Sequence, residues 1–175
     1  MDLTYCRYCH SQIPARSDFC PVCGVPISAI YLPLGTKLRG RYSVGKVLGH
    51  GGFGITYKGG DAVLFRPVAI KELFPSEYVI RKGISVQPRS ENSQNEFAHM
   101  REKFIEEAKL LAKLNHPGIV KVYDYFEENN TAYMIMELLR GNSLSQLIQE
   151  RGRIKEDEAL EIIKKVCEAL SVVHK

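Results

Sequence analysis

The chain has 175 residues, 45% of them hydrophobic and 25% charged, with a formal net charge of +4. That is the composition of a soluble globular protein, with room for one ordinary domain or for a small module joined to part of a larger one. Basic and acidic residues are interleaved and only Lys37, Arg39 and Arg41 crowd together, so nucleic acid is not expected as a partner.

The N-terminus lacks a basic-then-apolar leader, because Cys6 and Cys9 stand where its apolar core would lie. The longest strongly apolar stretch, residues 132–139, is too short to span a bilayer and contains Glu137. No membrane segment is expected in these residues, and a cytoplasmic location follows. In that reducing compartment a disulfide is the weaker explanation of the cysteines.

Three regions succeed one another. Residues 1–27 are turn-rich and carry four of the cysteines. Residues 28–41 read as a linker, with Pro33, Gly35 and Gly40 and little periodicity. Residues 42–175 read as one folded unit. It opens with β-favouring runs at 42–48, 55–58 and 67–73, separated by glycine-containing turns. A long helix follows, with Ser93 and Glu96 as a capping box and Phe97, Met100, Phe104, Ala108 and Leu111 at helical spacing. Pro117 marks its end. Between the third strand and the helix, residues 74–92 form an insertion in which 78–81 and 84–87 flank Lys82-Gly83 as a small hairpin. Two more strands, 119–126 and 131–137, are joined by a turn at 127–130. The remainder is helical: residues 143–149, capped by Ser143 with Gln146, and residues 155–173, with Leu160, Ile163, Val166, Leu170 and Val173 on one side. Cys167 lies on that apolar side and is expected to be a buried thiol.

Cys6-Arg-Tyr-Cys9 and Cys20-Pro-Val-Cys23 are two C-x-x-C pairs separated by ten residues. Zn²⁺ takes four soft ligands at tetrahedral corners, and each C-x-x-C turn supplies two thiolates. A segment this small has almost no core, so metal binding would provide its folding free energy. Gly24 suits the left-handed turn after the second pair. A redox pair is the competing explanation, but such a motif opens a helix after a strand, and no such pattern occurs here. Four cysteines leave no open coordination position, so the zinc is expected to be structural. His10 and Cys167 are spare candidate ligands, the latter more simply read as the buried thiol above. The segment resembles the zinc ribbons found at the ends of many bacterial proteins.

Gly49-His50-Gly51-Gly52-Phe53-Gly54 matches G-x-G-x-x-G, a weak pattern alone because dinucleotide-binding folds use it before a helix. Here strand-like residues flank it on both sides, which favours a hairpin laying glycine backbone over phosphates. Val68-Ala69-Ile70-Lys71 sits on the next strand, where alternation puts Ala69 and Lys71 on one face. A covered lysine needs an anion. At about 100° per residue Glu107 falls on the helix face of Phe104 and Leu111 and is the natural partner, whereas Glu106 points away. The competing partner for Glu107 is Lys103, one turn back.

Residues 49–54, 68–71, Glu107 in Phe-Ile-Glu-Glu-Ala, and Leu-Asn-His-Pro-Gly-Ile-Val at 114–120 together resemble the N-lobe of bacterial serine/threonine protein kinases, over roughly residues 41–175. The resemblance implies an α+β fold: a five-stranded antiparallel sheet plus one long helix, then the first helices of the C-lobe, behind a small zinc ribbon. It implies ATP as ligand, with Lys71 on the α- and β-phosphates and Glu107 positioning Lys71. Gly49, His50, Gly51, Gly52, Phe53, Gly54, Thr56 and Ala69 would enclose the nucleotide. Met136 would be the gatekeeper, and the backbone of Glu137 and Leu139 the adenine-binding hinge. Thr56 departs from the valine usual at its position, and the 74–92 insertion is longer than usual.

The resemblance also implies Mg²⁺ and a protein substrate with serine or threonine hydroxyls. The family's His-Arg-Asp…Asn and Asp-Phe-Gly motifs do not occur in this sequence. The catalytic aspartate and the metal ligands are expected beyond Lys175, and these 175 residues are expected to be inactive in phosphoryl transfer. Two rivals remain open. One is a non-catalytic interaction module whose ribbon binds a partner, protein or nucleic acid, through Tyr5, Arg7, Tyr8, Arg16 and Phe19. The other is a small-molecule kinase with the same N-lobe.

Overall fold

A computed structural model describes residues 3–6, 9, 11–15, 17–24 and 30–173, residues 3–5 by backbone alone. Arg7, Tyr8, His10 and Arg16 lie outside the described residues, as do the Tyr5 side chain, residues 25–29 and the last two residues.

Two short strands, β1 (Leu3–Tyr5) and β2 (Gln12–Pro14), pair antiparallel in front of the main body. In chain order there follow β3 (Lys37–Leu38), β4 (Tyr42–Gly51), β5 (Gly54–Asp61), β6 (Arg66–Leu73), β7 (Val79–Lys82), β8 (Ser85–Pro88), α1 (Glu91–Lys113), β9 (Val122–Glu128), β10 (Thr131–Glu137), α2 (Leu144–Arg151) and α3 (Glu156–Val173). The main sheet is antiparallel, in the order β3-β4-β5-β6-β10-β9, and β7-β8 is a separate hairpin.

The sheet therefore has six strands where five are expected from sequence. The extra one, β3, lies within the segment read as a linker. Two residues are too few for an alternation pattern to show, yet Leu38 is fully buried, and so is Leu32 ahead of it. These residues, with Tyr31, belong to the main core rather than to a solvated connection.

Alternation in β6 buries Val68, Ile70 and Glu72 on one face. Glu72 is the surprise on that face. Its Oε2 accepts from Arg81 Nη2 at 2.6 Å and from Tyr57 Oη at 2.9 Å, and its Oε1 from Tyr133 Oη at 3.0 Å. Burial raises the pKa of Glu72, and Arg81 and the two hydroxyls offset only part of that rise. The β5–β6 turn is held by Asp61. Its carboxylate takes two bonds from Arg41, at 2.8 and 2.7 Å, and the N–H groups of Val63 and Leu64. The β9–β10 turn uses Asn129 and Asn130, both left-handed at φ 54° and 57°, which suits a tight hairpin.

Helix α1 starts earlier than Ser93 suggests. Ser90 is the cap: its Oγ accepts the Ser93 N–H at 3.3 Å, so Ser93 is the donor in that turn. Glu91 follows it in the first turn, where negative charge favours the helix dipole. Phe97, Phe104 and Ala108 are buried and Met100 and Leu111 pack beside them, against β8, β9 and β10. On α2 the capping box forms as its sequence implies, with Gln146 N–H to Ser143 Oγ at 3.2 Å and Ser143 N–H to Gln146 Oε1 at 2.8 Å. Helix α3 buries none of its described residues. Cys167 is exposed, contrary to the expected buried thiol, and so are Leu160, Ile163, Val166 and Leu170. Amphipathicity gives burial only where a partner surface exists, and none of the described residues covers this side.

Candidate functional site

The glycine-rich segment is the tip of the β4–β5 hairpin, with Gly49 opposite Thr56, His50 opposite Ile55 and Gly51 opposite Gly54. Gly52 and Phe53 form the turn, and Phe53 is 74% exposed. The glycines here have two different causes. A Cβ on Gly54 would collide with the backbone oxygen of Glu72, so that glycine is required by the fold. At Gly49, Gly51 and Gly52 a Cβ would meet nothing within 4 Å, and none of the three has a positive φ. No contact within the protein explains their lack of a side chain. An approaching ligand does, because a bare backbone lets N–H groups reach phosphate oxygens.

The register across three strands defines one face beneath this tip. Thr56, Lys71 and Met134 lie in one row; Lys58, Ala69 and Met136 lie in the next. Directly opposed residues share a face, so Thr56, Lys71, Ala69 and Met136 point the same way. Ala69 is nearly buried and Met136 half-buried. Glu137 gives its N–H to Lys121 O at 2.9 Å. Leu139 beyond it is exposed.

Lys71 Nζ lies 3.2 Å from Glu107 Oε1, across from β6 to α1, and 5.4 Å from the centroid of the Phe104 ring. The Lys71 side chain is one-third exposed and that of Glu107 half exposed. Glu107 is thus at the rim of the apolar helix face rather than within it. Its partner is Lys71 and not Lys103.

The second site is the cysteine cluster. Cys6, Cys9, Cys20 and Cys23 bring their Sγ atoms within 4.8 Å of one another. Cys6 and Cys23 are 3.6 Å apart, as are Cys9 and Cys20. Disulfide sulfurs would be about 2.05 Å apart. A tetrahedron with metal–sulfur bonds of about 2.3 Å has edges of about 3.8 Å, which these separations match. Gly24, at φ 69°, closes the second turn with its N–H on Cys20 O at 2.8 Å. Cys9 Sγ is 3.3 Å from Ser11 Oγ, and this hydrogen bond is the first cause of a Cys9 pKa lowered to about 6. A soft, ionisable donor set at these spacings fits Zn²⁺.

The glycine tip, the Lys71–Glu107 pair and the strand order coincide with a family match: the protein kinase domain model fits residues 42–175. The chain belongs to the protein kinase domain family. The serine/threonine-protein kinase PknA of Mycobacterium tuberculosis is 35% identical over 146 residues, covering 81% of this chain and 30% of that protein. The serine/threonine-protein kinase PrkC of Bacillus subtilis is 32% identical over 141 residues, covering 81% of this chain and 19% of that protein. A solved structure described as PpkA-294 in its apo form superposes with a TM-score of 0.66 at 36% identity, over 69% of this chain and 43% of that one. The chain spans less than a third of the length of these two curated relatives. Glu72 and Arg81 within the matched residues, and Tyr31 and β3 ahead of them, escape the motif-based reading. Glu72 alone carried a signal, since it shares the parity of Val68 and Ile70.

Proposed function

We propose that the chain is the ATP-binding part of a serine/threonine protein kinase. The whole protein moves the γ-phosphoryl group of ATP onto a Ser or Thr hydroxyl of a protein, releasing ADP and a proton. The observation that carries the reading is the pairing of Lys71 with Glu107 beneath glycines that the fold itself does not require. An ion pair this exposed contributes about 1 kcal/mol or less to stability, so holding the pair together for stability alone would achieve little. Its use lies in position. Glu107 fixes the lysine ammonium over the face shared with Ala69 and Thr56, where it can donate to phosphate oxygens.

Ala69, Met136 and the backbone of residues 137–139 would flank adenine, and the 49–54 backbone would cover the phosphates. Mg²⁺ would neutralise phosphate charge; its ligands and the base for the substrate hydroxyl are not among the residues named here. Cys6, Cys9, Cys20 and Cys23 would hold one structural Zn²⁺, in a ribbon of residues 1–27 set before a kinase domain of residues 42–175. A protein partner of that ribbon would meet it at the exposed side chains of Phe19 and Val22, with the cytoplasm as the compartment.

Calorimetric titration tests the nucleotide site: the chain should bind ATP, and Lys71→Met should weaken binding about tenfold or more. Equal affinity of the two would overturn the assignment. Substrate profiling of the full-length protein should find phosphate on protein Ser or Thr; label on small alcohols or sugars alone would replace this reading with the small-molecule one.

A further inference from the structure

Among the described residues, the segment between the cysteine cluster and the sheet touches the glycine loop through the side-chain pair of Tyr31 and His50. Tyr31, nearly buried, places Oη 3.4 Å from His50 Nδ1, with ring centroids 5.7 Å apart and planes at 80°. Edge-on aromatic contacts of this kind are favourable beyond their buried area. His50 belongs to the loop itself. On the far side of the tip the tie is Phe74 N–H to Phe53 O, at 3.1 Å.

Both chain neighbours of Tyr31 are fastened to rigid points. Ile30 O accepts from Arg81 Nε at 2.6 Å, and Leu32 N–H donates to Tyr57 Oη at 3.1 Å. Arg81 and Tyr57 are the same groups that close on Glu72, which follows Lys71 in β6. Leu34 packs against the cysteine cluster, and Gly35 N–H bonds to Val44 O on β4. The Tyr31 hydroxyl stays protonated, since burial and then the charge of Asp18 raise its pKa. It is therefore available as a donor to His50.

We propose that Tyr31 is a positioning residue for the phosphate-covering loop: anchored by its neighbours, it holds His50, and with it the hairpin tip, in one place over the sheet. The proposal rests on the nucleotide reading above. It makes the stretch before β4 a determinant of phosphate affinity rather than a tether. The effect should be selective, because the hydrogen-bond and ring contact of Tyr31 is made to His50 of the loop and not to the adenine-flanking side chains of Ala69 and Met136.

The test is calorimetric titration of ATP and of adenosine into the wild-type chain, Tyr31→Ala, Tyr31→Phe, His50→Ala and the Tyr31→Ala/His50→Ala double variant. Tyr31→Ala should weaken ATP about tenfold and leave adenosine unchanged. Tyr31→Phe keeps the ring contact and should recover most of the loss, and the double variant should lose no more than His50→Ala alone. An equal loss for ATP and adenosine would make Tyr31 a general packing residue and overturn the proposal, as would unchanged ATP affinity. Failure of the wild-type chain to bind ATP would instead sink the nucleotide reading. Amide exchange over residues 49–54 then still decides the brace: it should quicken several-fold in Tyr31→Ala with β9 and β10 unaffected, and no change there overturns it.

Discussion

Arg81 Nη2 sits 2.6 Å from Glu72 Oε2, and both side chains are sealed from solvent. Two tyrosine hydroxyls complete the shell around the carboxylate. Through Arg81 the β7–β8 hairpin is joined to the strand that carries Lys71.

Removing one partner of such a pair leaves a buried charge without compensation, which costs about 3–5 kcal/mol. Arg81→Met should therefore lower the unfolding free energy by about that amount in urea denaturation. The variant should recover in acid. Burial already raises the Glu72 pKa, and without Arg81 it rises further, so the folded state holds the proton more tightly than the unfolded state. Folding of the variant then strengthens as pH falls and weakens as pH rises through the folded-state pKa. A variant as stable as wild type at neutral pH would refute this role of the pair.

Asp61 behaves in the opposite sense. Its hydrogen bonds from Arg41 hold its carboxyl well below the usual carboxylate range. A depressed pKa contributes stability that is present above about pH 4 and is lost as pH falls toward the folded-state value. Asp61→Asn should be less stable at neutral pH and should show a shallower loss between about pH 4 and pH 2. Parallel acid-denaturation curves for the two proteins would contradict the assignment.

The two kinds of glycine separate experimentally. Gly54→Ala places a methyl group on the Glu72 carbonyl and should destabilise the hairpin, by about 1–3 kcal/mol in thermal or urea melts. Gly51→Ala and Gly52→Ala meet open space, so their melts should stay within about 0.5 kcal/mol of wild type while ATP affinity falls. Unchanged ATP affinity in both would show that the bare backbone serves no ligand.

The cysteine cluster predicts a stoichiometry. Metal analysis of reduced, unchelated protein should find about one Zn per chain. Cys20→Ser or a strong chelator should abolish it and loosen residues 3–24, as seen by proteolysis or amide exchange. Zinc near zero in wild-type material would remove the assignment.

Much of this architecture is legible in the residues. β-favouring runs mark β4, β5, β6 and β10, and the helical repeat from Phe97 to Leu111 marks α1 and puts Glu107 on the side that meets Lys71. What escapes the sequence is what depends on partners far apart in the chain. Tyr31 has no pattern of its own, yet it finds His50 nineteen residues on. Arg81 looks like an exposed hairpin cation until Glu72, Ile30 and Ile84 are placed around it. The cap of α1 moves from Ser93 to Ser90 because both serines fit local capping chemistry and only the backbone geometry separates them. Cys167 shows the converse, since its side of α3 is apolar in pattern and exposed in fact.

The strand order also governs how the protein is assembled. Strand β6 is flanked by β5 on one edge and by β10 on the other, and β10 ends only at Glu137. During synthesis the β4–β5–β6 meander can form as soon as Leu73 emerges, but its far edge, lined by Val68, Ala69 and Ile70, stays unpaired until β10 arrives. Such an open apolar edge is a template for pairing with another chain. The interval between residues 73 and 131 is thus a period in which this edge is open to another chain. Slowed elongation over it should increase the demand for chaperones.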